Sequence, residues 1–316
     1  MIVDGHCHPL EGPGLQGLLR LMREAGVERA VLFPPALEPL PEETGRPPDG
    51  WSRTASLWPS AVTSVNWLAR RCYQRLAQTK GRLRLGARWY RVLSGPDNAP
   101  VAAAVSAHPD RFVGFAYVNP AEPDHLDTAL SFLGAGFKGV QVNAWLDRFD
   151  VAQDLYPLAR LCGERGYPVH IQLGGTRRTG WSLVELADRL PGTNFIIAHA
   201  GLPYGPSIWR AARTRPNLYF DLAPPFVDEG LLELVARRVP PGRLIFASGG
   251  AAGLRTPEGD YSYRDLMARM RNLPLVGRAV KAVMGENLWR LLEAGPLERE
   301  LRARLWAYAS GSPGGR

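Results

Sequence analysis

Lysine is nearly missing from this chain: of 316 residues only Lys80, Lys138 and Lys281 are lysine, so the formal net charge of +8 rests almost wholly on arginine. Such a skew says as much about coding bias as about partners. A basic cluster does occur at residues 80–91, "KGRLRLGARWYR", and reads as the solvated face of a helix. No nucleic-acid motif accompanies it. Cysteine is scarce too: Cys7, Cys72 and Cys162 have no paired spacing, which excludes a disulfide framework and points to a reducing compartment. No apolar run approaches the length of a membrane span, and no cationic segment followed by an apolar run opens the chain, so the cytoplasm is the expected location. Histidine is the scarcity that matters most, because there are only six.

What is present in quantity is core-forming material. Hydrophobic residues make up 45% and charged residues 22%, the balance of a globular protein. Strands are predicted at 2–8, 29–34, 112–119, 137–143, 168–173, 194–200, 218–223 and 243–248. Amphipathic helical patterns lie between them, such as "LQGLLRLMREAG", "LYPLARLCGERG" and "SLVELADRLPG", each closed by a glycine suited to a left-handed cap. Strand and helix in alternation predict a parallel sheet, and eight repeats predict a closed (β/α)8 TIM barrel; such a barrel needs about 250 residues before insertions. One domain, 1–316, is expected.

One interval breaks the alternation. Residues of about 35–107 separate the second strand from the third, beginning with the turn-rich "PPALEPLPEETGRPPDG" and running past Trp51, Trp58 and Trp67 into helix-like "NWLARRCYQRLAQTKG". An insertion there is expected to cap the C-terminal mouth of the barrel. Beyond the last strand, further helices are predicted around "YRDLMARMRNLP" and "GENLWRLLEAG".

The histidines fall where a barrel does its chemistry. His6 and His8 close the first strand; spaced by two, they share a face, and Cys7 between them points away. His170 lies in the fifth strand and His199 ends the sixth, whereas His108 and His125 sit near helix ends and are read as structural. Four imidazoles at the C-terminal ends of strands are candidates for metal binding or acid/base work.

With these residues in view, "DGHCHP", "AHPDRFVGFAYVNP", "GFKGVQVN", "AHAG" and "GENLWRLL", in that order, resemble the amidohydrolase superfamily. More narrowly they resemble its amidohydrolase-related branch, which includes aminocarboxymuconate semialdehyde decarboxylase. The resemblance runs to about residue 294 and is missing mainly in the insertion. It implies one divalent metal, usually zinc, held by His6, His8 and His170, with His199 as acid/base, a small-molecule substrate, and a homodimer. Lys138 begins its strand and is not read as the bridging lysine of two-metal relatives.

The resemblance fails at the eighth strand. Where the family has Ser-Asp, this chain has Ser248-Gly249, and no carboxylate follows until Glu258. In hydrolytic relatives that aspartate binds metal and takes a proton from water. Three readings stay open: a site of three histidines; a carboxylate recruited from elsewhere, with Asp221 nearest by strand order and Glu258 and Asp260 behind it; or loss of the metal. Arg177 and Arg178, after the fifth strand, are candidate carboxylate clamps, and Asn143 and Trp145, after the fourth, are candidate substrate contacts. The leading expectation is a metal-dependent hydrolase of a small organic substrate. The alternatives are a non-oxidative decarboxylase of an aromatic or unsaturated acid, and a metal-free enzyme or binding barrel.

Overall fold

The computed structural model describes residues 1–8, 13–40, 78–79, 82–85, 88–93, 95–174, 177–202, 204–224, 227, 229–256 and 260–293. Eight parallel strands lie in chain order: β1 (Val3–Cys7), β2 (Arg29–Leu32), β3 (Phe112–Tyr117), β4 (Gly139–Asn143), β5 (Val169–Gln172), β6 (Phe195–Ile197), β7 (Leu218–Asp221) and β8 (Leu244–Ile245). The last meets the first through the Gly5 N–H, which donates to the Phe246 carbonyl at 2.9 Å, so the sheet curls into a nearly closed (β/α)8 TIM barrel.

Alternation along each strand sorts side chains into two cores. Val31, Phe33, Val113, Phe115, Ile196, Tyr219 and Ile245 fill the barrel, and Leu288 and Leu291 of the helix Asn287–Glu293 join them beside Val3 at its N-terminal end. Their outward neighbours pack under the surrounding helices. The helix Gly14–Ala25 turns Leu18, Leu19, Leu21 and Met22 inward, each buried side chain contributing roughly 1.5–3 kcal/mol. Glycine caps end this helix and Leu155–Arg165, at Gly26 (φ 71°) and Gly166 (φ 78°). The third expected cap is corrected: Arg177–Arg189 stops before Pro191, which cannot continue a helix, and Gly192 is not in the left-handed region.

The first strand departs from simple alternation. Asp4 pairs with Ala30 and Cys7 with Leu32, so three steps along β1 match two along β2: a β-bulge at Gly5 and His6. Val3 and His6 therefore both face inward, while Asp4 and Cys7 face the outer layer. Cys7 and Cys162 are buried free thiols.

The insertion leaves β2 and returns to β3 on the same side of the barrel. Leu37–Pro39 pairs antiparallel with Arg88–Val92, which pairs with Arg82–Leu85, which pairs with Gln78–Thr79. The basic cluster is thus a strand hairpin and not a helix face, a correction whose reason is visible in the period-two pattern of "RLRL". On the return, Asn98 grips the end of β3: its Oδ1 accepts from the Tyr117 N–H at 2.7 Å and its Nδ2 donates to the Tyr117 carbonyl at 3.0 Å. Both ends of the insertion are so anchored at the C-terminal mouth. Trp51, Trp58, Trp67, Cys72, most of the expected helix at 66–81, and Glu258 lie outside the described residues. Among the described residues no helix is long and apolar enough to cross a membrane.

Candidate active site

The bulge in β1 brings His6 over the barrel axis, against rings from neighbouring strands. Its ring centroid lies 5.1 Å from His8, 4.7 Å from His170, 5.2 Å from His199 and 4.8 Å from Phe33. Phe33, fully buried, also packs on Phe115 and His170 and closes the floor beneath the imidazoles. Four histidines therefore converge at one mouth.

His199 reaches the mouth by a route the sequence pattern does not announce. β6 ends at Ile197, and Ala198–Gly201 forms a tight turn in which His199 (φ 50°) and Ala200 (φ 54°) take left-handed backbone. For side chains with a Cβ this costs on the order of 1 kcal/mol or more each and is found where a structure holds a functional group in place. The His199 N–H donates to Asp221 Oδ1 at 2.8 Å, and its ring Nδ1 lies 2.9 Å from the Ala223 carbonyl.

Asp221, at the end of β7, is the hub of the cluster. Its Oδ2 lies 3.0 Å from His6 Nδ1 and 2.8 Å from His170 Nε2, and its Oδ1 also accepts from the Ala223 N–H at 3.1 Å. Burial alone would raise its pKa, but the charges and hydrogen bonds of His6 and His170 reverse this and hold the carboxyl well below the usual range. Burial pushes the other way on the imidazoles. Desolvation lowers His6 to about 4 against the pull of Asp221, and it lowers His170 as well. His8, part-buried at the rim, is lowered first by its surroundings and then by His6 beside it. These three imidazoles are neutral near pH 7.

Their neutral tautomers follow from their partners. A carbonyl oxygen only accepts, so His8 Nδ1, 3.2 Å from the Phe33 carbonyl, carries that ring's proton. The ionised Asp221 likewise takes the His6 Nδ1 and His170 Nε2 protons. His6 Nε2 and His8 Nε2 then bear lone pairs, yet they face each other at 3.1 Å. His170 Nδ1 bears the third and is buried without a hydrogen-bond partner. Two lone pairs at that separation repel unless a cation lies between them, and 3.1 Å suits two nitrogens each about 2.0–2.1 Å from one zinc ion. The residues present fit a divalent metal. Ligand atoms of His6, His199 and Asp221 also lie within 4.8 Å of one another.

Behind β1, Asp4 binds the turn that follows β8. Its carboxylate accepts from the Ser248 hydroxyl, from the Ser248 N–H at 2.8 Å, from the His6 N–H at 3.2 Å and from the Tyr263 hydroxyl at 2.7 Å, while burial raises its pKa to about 6. The Gly249 N–H donates to the His6 carbonyl at 2.7 Å. Gly249 has φ 68°, and a Cβ there would collide with the Pro224 carbonyl. The position where the family carries its aspartate is thus occupied by backbone that only glycine fits.

The expected substrate contacts have structural neighbours of their own. Asn143 Oδ1 accepts from the Trp145 and Leu146 N–H groups, both at 3.1 Å, and so caps the turn after β4. Trp145 packs over Gly174, where a Cβ would have no room. Arg178 is exposed in the first turn of its helix, and the Arg177 side chain lies outside the described residues. Asp4, Tyr263 and the central place of Asp221 were not legible as site features; the only sequence signal for Asp4 was its place two residues before His6 in "DGHCHP".

A parallel barrel with a histidine-rich C-terminal mouth defines a class of enzymes built at strand ends. Within that class the family is established: the amidohydrolase family model matches residues 3–294, and the chain belongs to this family. Among curated proteins none matches it. Solved structures share its fold at low identity. A 4-oxalomesaconate hydratase from Rhodopseudomonas palustris is 16% identical with a TM-score of 0.59, covering 98% of this chain and 99% of its own. A probable 2-pyrone-4,6-dicarboxylic acid hydrolase from Acinetobacter baumannii, with citric acid bound, is 12% identical with a TM-score of 0.58, covering 92% and 98%. An amidohydrolase from Burkholderia multivorans with bound zinc is 12% identical with a TM-score of 0.53, covering 92% and 99%.

Proposed function

We propose that this protein is a metal-dependent hydrolase of a small organic substrate. The observation that carries this reading is that His6 Nε2 and His8 Nε2, whose rings spend their N–H groups on oxygens, face each other at 3.1 Å, with the His170 ring packed beside His6. These residues would hold one divalent ion, zinc first among candidates, which when bound supplies Lewis acidity and lowers the pKa of a coordinated water to about 7. His199 is the acid/base. Its Nδ1 donates to the Ala223 carbonyl, which leaves Nε2 as the nitrogen that can exchange a proton with substrate, and its strained backbone is held by Asp221. With Gly249 next to Ser248, the family's carboxylate at that position is not there to take a proton from water, and that work falls to His199. Asn143, Trp145, Arg177 and Arg178, at the ends of β4 and β5, are the proposed substrate contacts.

One observation favours a second reading, a non-oxidative carboxy-lyase. Decarboxylation needs a carboxylate held and a proton delivered to carbon, and neither task requires the missing aspartate. Two structural neighbours are named for small carboxylic acids, which supports such acids as first substrates. The test is a panel of small lactones, amides and unsaturated or aromatic acids, followed for acid release and for carbon dioxide, with and without chelator. Chelator-sensitive acid release without carbon dioxide is the hydrolase result, and chelator-sensitive carbon dioxide is the lyase result. Turnover indifferent to chelation and reconstitution contradicts both.

A further inference from the structure

The metal and acid/base reading leaves one buried polar side chain on the same wall unused. We propose that Gln141 is a substrate-recognition residue, its Oε1 accepting from a hydroxyl or N–H group carried by a small organic acid. This rests on the reading that the barrel mouth binds a small organic substrate.

Strand alternation turns Gln141 toward the barrel interior. Val140 and Val142 belong to the outer core under the helices, so Gln141 and Asn143 face inward. Register sets Gln141 beside Tyr117 of β3 on one side and His170 of β5 on the other. At the previous inward position of β4 the Phe115 ring covers Gly139, and it packs in turn on Phe33. Gln141 therefore stands on the aromatic floor, in register with one of the four histidines.

Gln141 is 2% exposed, and its Oε1 is buried without a hydrogen-bond partner among the described residues. Its neighbours in the row have no proton to give. The Tyr117 hydroxyl donates to Asp147 Oδ2 at 2.8 Å, and His170 Nε2 donates to Asp221 at 2.8 Å. A buried amide carbonyl left unsatisfied weakens a fold, and a ligand that completes it is a physical reason to keep it. Two residues along the strand, roughly 6.6 Å away, Asn143 has the opposite polarity. Its Oδ1 holds the Trp145 and Leu146 N–H groups, both at 3.1 Å, so the end it can offer a ligand is the Nδ2 donor. The inner face of β4 thus presents an acceptor deep in the mouth and a donor nearer the rim. That wall suits an acid whose carboxylate meets Asn143 while a hydroxyl or N–H reaches Gln141. An analogue with an oxygen lone pair in place of the donor would meet Oε1 lone pair to lone pair and be rejected.

Three matched pairs of acids test this by calorimetric titration of metal-free and of zinc-loaded protein. They are malate against succinate, 3-hydroxybenzoate against benzoate, and pyrrole-2-carboxylate against furan-2-carboxylate, in each of which only the first member carries the extra donor. Wild type is expected to bind the donor-bearing member of at least one pair about tenfold more tightly. Gln141→Met, which keeps the length of the side chain and removes the acceptor, is expected to lose that preference. Equal binding within every pair, binding of none, or a preference that survives in Gln141→Met would overturn the proposal. A second readout needs no ligand: with Oε1 unsatisfied in the free protein, Gln141→Met should raise the melting temperature by about 2–4 °C. An unchanged or lower melting temperature, or a variant that does not fold, would show that Gln141 serves the fold and would overturn the proposal. Failure of the metal reading is distinguishable, because a donor preference in metal-free protein that takes up no zinc would sink the metal centre and leave the role of Gln141 standing.

Discussion

Restoring the family's aspartate should harm this protein. In Gly249→Asp the new side chain must accept left-handed backbone at φ 68°, which costs a residue with a Cβ roughly 1–2 kcal/mol. Its Cβ also meets the Pro224 carbonyl, a neighbour that moves only with the backbone after β7, and forced accommodation of this kind costs about 1–3 kcal/mol. The total is on the order of 2–5 kcal/mol. In a chain of this size that lowers the melting temperature by roughly 3–8 °C. The new carboxylate should not tighten metal binding either, because the shift would disturb the 2.7 Å hydrogen bond from the Gly249 N–H to the His6 carbonyl. The assay is thermal and urea unfolding beside a zinc titration. A variant as stable as wild type that binds zinc more tightly would refute the packing described around Gly249.

Three further outcomes are expected. Phe33→Ala removes a fully buried ring under His6 and His170 and should cost about 3–5 kcal/mol in urea unfolding; a loss under 1 kcal/mol would mean that the floor is not packed as described. Asn98→Ala leaves the Tyr117 N–H and carbonyl without their partner and should cost roughly 2–4 kcal/mol, with faster proteolysis of the insertion; unchanged stability would show that the clamp is dispensable. His6 is neutral in the fold down to about pH 4, whereas in the unfolded chain it titrates near 6.5, so the unfolded state binds the extra proton between those values and stability is lost as pH falls. In chelated protein, wild type should therefore lose about 3 kcal/mol relative to His6→Gln between pH 7 and 4, and a difference that stays flat would contradict the depressed pKa.

The barrel was legible because its strands are short apolar runs separated by amphipathic helices, a pattern set by local periodicity. The exceptions arise from contacts between distant parts of the chain. The bulge at Gly5 and His6 depends on where β8 closes against β1, which alternation in "IVDGHCH" cannot reveal. The strand-six prediction ran to residue 200, but the chain turns left-handed at His199 because Asp221 holds its N–H. In residues 80–91 the density of arginine obscures the period-two alternation, and it is that alternation which pairs Arg82–Leu85 with Arg88–Arg91. Asp221 was visible as the nearest carboxylate by strand order, yet its four partners come from β1, β5, the turn after β6 and its own strand end, which a linear reading does not bring together.

The most direct measurement is the metal content of purified protein, with His6→Ala beside wild type. About one zinc or similar divalent ion per chain in wild type, lost in the variant, is the expected result. Wild type that stays empty after reconstitution with zinc, manganese or cobalt, or a variant that retains the ion in full, would contradict the metal centre at the head of β1.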